Sequence, residues 1–112
     1  MLKTAFMGNT IMPHKGWKLV ATVTGANTVT FTDLAAQGYT EACIFDNGYG
    51  SASIPVSAIP SQGITLCWGG FYGGVNGLLH GVEIKPTSIK GKYGRTDSTD
   101  VMSQLVFYLY AR

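Results

Sequence analysis

From Trp17 onward the chain alternates. Trp17, Leu19, Ala21 and Val23 fall on one face of an extended run, and Lys18, Val20, Thr22 and Thr24 fall on the other. A period of two marks a strand with one buried face. Gly25-Ala26-Asn27 interrupts the run and Thr28–Thr32 resumes it. Asp33-Leu34-Ala35-Ala36-Gln37-Gly38 is the short helical stretch, with Asp33 placed to cap a single turn and Gly38 to end it. Tyr39 to Asp46 alternates again, with Tyr39, Glu41, Cys43 and Phe45 against Thr40, Ala42, Ile44 and Asp46. Asn47-Gly48 then predicts a tight hairpin, because both residues tolerate the positive φ of a type I′ turn. The return strand is Tyr49–Val56, and Pro55 puts it at a sheet edge or at its own end.

Pro60–Gly63 turns the chain, and Ile64–Tyr72 reads as a strand rich in aromatics. Gly69, Gly70, Gly73, Gly74 and Gly77 crowd the end of this strand and the segment after it. Leu78–Lys85 and Thr87–Tyr93 read as two more strands divided by Pro86, and 94–100 as a polar loop. Val101–Arg112 is the longest run, with apolar residues on both faces, which predicts a central strand covered on each side. About eight short strands at this spacing predict an all-β fold: an antiparallel, jelly-roll-like β-sandwich over 17–112, with 1–16 as an extended N-terminal arm.

Composition narrows the function classes. The chain has 112 residues, enough for one domain and one core. Charged residues make up 12%, about half the usual share of roughly 25%, while 46% hydrophobic content excludes intrinsic disorder. The net charge of +2 comes from scattered Lys and Arg, so the clustered footprint that nucleic acid or anionic lipid requires is missing. No stretch is both charge-free and apolar enough to predict a membrane-spanning helix. Gly8, Asn9 and Thr10 break the start of the chain, which therefore does not read as a signal peptide. Cys43 and Cys67 each sit inside an apolar run and read as two reduced core thiols, a single bridge being the alternative.

Chemistry is sparse. Catalysis needs a nucleophile, a base and an orienting group, or a metal, or two carboxylates in reach; no motif supplies them, so an enzyme is not expected, and neither is a cofactor. His80 lies in the strand-like Leu78-Leu79-His80-Gly81-Val82 and reads as structural, while Cys67, flanked by Leu66 and Trp68, reads as inert. Asp97 and Asp100 with Ser98 and Thr99 offer few carboxylates toward the roughly six to eight oxygens a Ca²⁺ site wants. They read as a solvated turn, and no metal site is expected. Cys67 to Gly77 sets Trp68, Phe71, Tyr72 and Asn76 among glycines. A ring left flat beside amide groups suits the apolar face of a sugar, so these four are candidate glycan contacts; the competing reading packs Trp68 and Phe71 into the core. So few charges leave neutral surface that copies of the chain could cover, with Trp17, Tyr108 and Tyr110 as candidate subunit contacts. Packing within their own chain is the alternative for each.

The order Trp17-Lys18-Leu19-Val20-Ala21-Thr22-Val23-Thr24-Gly25, the turn Ile54-Pro55-Val56-Ser57 and the closing Leu105-Val106-Phe107-Tyr108-Leu109-Tyr110-Ala111-Arg112 resemble the small β-domains of bacteriophage tail fibres and receptor-binding proteins. The resemblance covers about residues 17–112 and is one of order and texture. It implies homotrimers without enzymatic activity, carried on the virion after assembly in the host cytoplasm. Their partners would be copies of themselves, other virion proteins and host cell-surface saccharides or proteins. Binding residues vary within that group, so none carries over; the chain also lacks the long shaft of a full fibre. Loops at 46–50, 69–77 and 94–100 are the candidate contact regions. The other readings are a free-standing lectin working through Trp68, Tyr72 and Asn76, and a capsid-decorating protein without a small ligand.

Overall fold

A computed structural model describes residues 5–6, 9–10, 16–47, 50–72, 76–96, 99–100 and 105–112; the side chains of 5–6, 9–10, 70–72, 76–78, 95–96 and 99–100 lie outside that description. In chain order the strands are β1 (Ala5–Phe6), β2 (Asn9–Thr10), β3 (Lys18–Thr24), β4 (Thr28–Thr30), β5 (Glu41–Asp46), β6 (Ser51–Pro55), β7 (Ile64–Tyr72), β8 (Asn76–Lys85), β9 (Ser88–Thr96), β10 (Thr99–Asp100) and β11 (Val106–Ala111). Among the described residues, β1 and β2 pair only with each other, within the N-terminal arm. The remaining strands build two antiparallel sheets.

The first sheet runs β3-β11-β5-β6 and the second runs β9-β8-β7, with β4 and β10 beside β9. Lys90 of β9 pairs with Glu83 on one side and Thr28 on the other, and Arg95 pairs with Leu79 and Asp100 in the same sense. β4 and β10 therefore occupy one column at opposite ends of β9, and the sandwich has four strand columns in each layer. First pairs with last, β3 with β11, and β4, the second, pairs with β9; the spacing predicted the sandwich but not this strand order. The middle strands keep to local hairpins, β5–β6 and β7–β8–β9. β11 lies between β3 and β5, as predicted, but among the described residues only its inward face meets another sheet, and Val106 and Tyr108 on the outer face are half-buried.

The inner faces meet in one core. Val23, Ile44, Phe107 and Leu109 come from the first sheet and Val82, Ile84 and Ile89 from the second, all fully buried. Burying each such side chain contributes about 1.5–3 kcal/mol against the entropy of ordering the chain. Leu34 is buried with them, delivered by the single turn after β4. There Asp33 Oδ1 accepts the Ala36 N–H at 3.0 Å, and Gly38, at φ +88°, reverses the chain. The capped turn predicted at 33–38 forms as one turn, without extending into a helix.

Two local expectations fail for physical reasons. Leu19 is 53% exposed although Ala21 and Val23 point inward. The β3–β11 register slips between Leu109 and Tyr110, which pair with Ala21 and Leu19, so Val20 is the extra residue of a bulge. The bulge ends the alternation and turns Val20 partly into the core. At the β5–β6 hairpin, a two-residue Asn47–Gly48 turn would pair Asp46 with Tyr49. The observed register pairs Phe45 with Ser51, Ile44 with Ala52 and Ala42 with Ile54, and the Asp46 N–H donates to the Gly50 carbonyl. A slip of one residue would set Ser51 and Ser53 against the core and turn Ile54 outward, so burial overrides the turn preference. Pro55 ends β6, and β6 is an edge strand.

Candidate functional site

β5 carries a carboxylate at each end, and each gathers a cluster of the same chemical kinds. Asp46, its last residue, shares the inward face with Ala42 and Ile44. From the opposite sheet, Trp68 of β7 and His80 of β8, direct cross-strand partners, reach toward it. The Trp68 indole N–H donates to Asp46 Oδ2 at 2.7 Å, and His80 Nδ1 lies 2.5 Å from the same oxygen, donating whenever Asp46 is ionised. Both the Asp46 and His80 side chains are fully buried. Gly50 lies against the Trp68 ring so closely that a Cβ there would sit 2.9 Å from Cδ1. The Trp68 ring meets Phe107 edge-on at 6.0 Å. This is an inter-sheet polar clasp inside the core.

Glu41, the first residue of β5, pairs through Oε1 with Arg112 Nε at 2.5 Å, both side chains about half exposed. The guanidinium lies over the Trp17 ring, 4.5 Å from its centroid, and Trp17 is half-buried. Backbone bonds fix this end: Thr40 and Glu41 N–H donate to the Arg112 carbonyl at 2.8 and 2.9 Å. Trp17, Thr40, Glu41, Ser53, Pro55 and Arg112 line an open groove here, with Ala42 and Ile54 at its base. Its polar groups are a carboxylate, a guanidinium and two hydroxyls beside an aromatic ring.

The outer faces complete the surface. On the first sheet Phe45 stacks on Tyr110 (5.5 Å, 8°) and tilts against Tyr108 (5.6 Å, 39°). Tyr110 is buried by this packing within the chain itself, Tyr108 and Phe45 are half-buried, and exposed Leu19 stands opposite Tyr110. On the second sheet Cys67, Gly81 and Tyr93 form one cross-strand row, with Gly69, Leu79 and Arg95 in the next, and the Lys92 ammonium lies over the Tyr93 ring at 5.8 Å and donates to Thr65 Oγ1 at 3.0 Å. Tyr93 is 39% and Leu79 42% exposed. Gly81 is required, since a Cβ would lie 2.8 Å from the Leu66 carbonyl and 2.9 Å from Cys67 Sγ.

Trp68, taken in sequence as a ring offered to a sugar, is a core residue, because its inward parity on β7 and its bond to Asp46 draw it inside. Phe71, Tyr72 and Asn76 belong to the β7–β8 ladder, where Tyr72 pairs with Asn76 and Phe71 with Gly77; their side chains lie outside the described residues. Gly69 and Gly70 therefore extend β7 and Gly77 belongs to β8, while Gly73 and Gly74 lie outside the described residues. Most of 94–100 is likewise ladder, split between β9 and β10. Of the two cysteines, neither bridged, only Cys43 is buried. Desolvation pushes its thiol above the ordinary value, partly offset by its contact with Ser53. Cys67 takes the outer face by the alternation that turns Trp68 inward, which corrects its reading as a core thiol.

Asp46 had no sequence signal as a partner of Trp68 and His80, since the three meet across 22 and 34 residues. Among the described residues no group of three His, Cys, Asp or Glu side chains is placed to hold a metal ion. No protein-family model, no curated protein and no solved structure matches this chain.

Proposed function

We propose that the chain is a non-enzymatic binding and assembly module, a β-scaffold whose outer faces are covered by copies of itself or by a larger particle. The observation that carries this reading is the second sheet's outer face, where Cys67, Tyr93 and Leu79 cluster partly exposed around Gly81, bordered by Lys92, whose ammonium lies 5.8 Å from the Tyr93 ring centroid and donates to Thr65 Oγ1. Contiguous patches of that kind mark interaction sites, whereas apolar residues exposed singly do not. The burial of Asp46 and His80 supports a structural role for the chain's carboxylate–imidazole pair, out of reach of a substrate. Placement in a virion, of tail-fibre head type, rests on the sequence resemblance alone. Sedimentation of the purified chain over a wide concentration range tests the assembly reading. Association rising with concentration is expected, and a monomer throughout overturns it.

A second reading, saccharide binding, is favoured by the groove at the Glu41 end of β5. Ring, guanidinium, carboxylate and hydroxyls are the groups that hold a sugar by stacking and by paired hydrogen bonds. Titrating glycans against tryptophan fluorescence discriminates: a saturable change abolished by Trp17→Ala and kept by Trp68→Phe places the ligand in this groove, and no saturable change with any glycan removes the reading.

A further inference from the structure

The sandwich ends laterally in edge strands, and all but one are blunted. β6 is five residues long and closes on Pro55. β3 carries Lys18 and the bulge at Val20. β4 and β10 have three and two residues. β7 differs: nine residues, Ile-Thr-Leu-Cys-Trp-Gly-Gly-Phe-Tyr, paired with β8 alone among the described residues and without proline, charge or register shift. Proline, charge, bulges and brevity are the devices that keep an edge from pairing with another chain. The chain uses them at every other edge and omits them here.

We infer that β7 is an assembly edge, pairing antiparallel with β7 of a second copy so that the two second sheets become one continuous sheet. The inference rests on the self-association proposed above and names its site. Backbone N–H and C=O groups along a free edge are complemented by another strand, and antiparallel pairing of identical strands is isologous, closing on a twofold axis. An uncharged strand meets its copy without repulsion. The partly exposed cluster of Cys67, Gly81, Tyr93 and Leu79, with Lys92 lying over Tyr93, reaches this edge at Cys67, so the twofold would join two clusters into one surface. Full overlap sets Trp68 opposite its copy and Cys67 opposite Gly69 of the other chain. The two Cys67 residues then face each other diagonally, about 7–8 Å apart. That is too far for a relaxed disulfide but within reach of a short bismaleimide.

The test uses the intact chain. Short-spacer bismaleimide is expected to give a covalent dimer through exposed Cys67, Cys43 being buried. Amides along Ile64–Tyr72 are expected to exchange more slowly as concentration rises. Cys67→Glu, which brings two carboxylates together across the twofold, should weaken association at least about tenfold; Cys67→Ser, neutral and of similar size, should not. Wild-type chain that associates while β7 amides exchange unchanged, or that forms a trimer, overturns the edge and leaves self-association standing. A monomer at every concentration overturns both.

Discussion

Five residues apart on β5, Asp46 and Glu41 each collect a nitrogen base and an indole: His80 and Trp68 at one end, Arg112 and Trp17 at the other. The chemistry is nearly the same and the burial opposite. At the Asp46 end all partners face the core, and each polar group must be satisfied there or cost several kcal/mol. At the Glu41 end water competes for every bond, so the pair is weak and free to exchange partners. The difference follows from parity, since Asp46 lies on the inward face of β5 and Glu41 on the outward one. One cluster lies between the sheets; the other lies open to solvent.

Removing the buried carboxylate should have the largest effect. Asp46→Ala strands the His80 and Trp68 donors in the core and should destabilise the fold by about 3–5 kcal/mol, read as a lower midpoint in urea unfolding. The comparison sharpens with Asp46→Leu/His80→Leu, which removes both members of the pair. That double variant should lose less than the sum of the two single changes; additive losses would mean the groups do not act as a clasp. Trp68→Phe keeps most of the ring and deletes the N–H, leaving Asp46 one donor short. A loss of about 1.5–3 kcal/mol is expected, the usual scale for a hydrogen bond to a charged group. Gly50→Ala should cost on the order of 1 kcal/mol, the low end for overpacking, because the added Cβ would sit 2.9 Å from Cδ1 of the Trp68 ring. An unchanged midpoint would show that the close approach is not needed.

Much of this architecture was legible from alternation. The period of two located the strands because one face of each is buried, and two apolar faces placed β11 in the middle of its sheet. What stayed hidden depends on atoms distant in sequence. The bulge at Val20 arises from the β3–β11 register, which strand composition does not specify. The Asn47–Gly48 turn yielded to Ile54, whose burial needs the longer loop. Trp68 read as core ahead of sugar platform, and the approach of Asp46 from the other sheet decides it. The Arg112–Glu41 pair was illegible for the same reason, its members lying 71 residues apart.

Glu41→Gln probes the weak half of the comparison. It removes one charge from a half-exposed pair and leaves the backbone bonds of Thr40 and Glu41 to the Arg112 carbonyl in place. A pair of this kind contributes about 0.2–1 kcal/mol, and salt screens it. Stability should therefore fall by no more than that at low salt, with the difference from wild type vanishing at high salt. The guanidinium keeps its seat over Trp17, so tryptophan emission should stay close to wild type. A loss as large as that of Asp46→Ala would mean Glu41 is shielded from water as Asp46 is, and the contrast between the two ends of β5 would disappear. A small, salt-sensitive loss leaves Arg112 and Glu41 free to turn toward a ligand, as the groove requires.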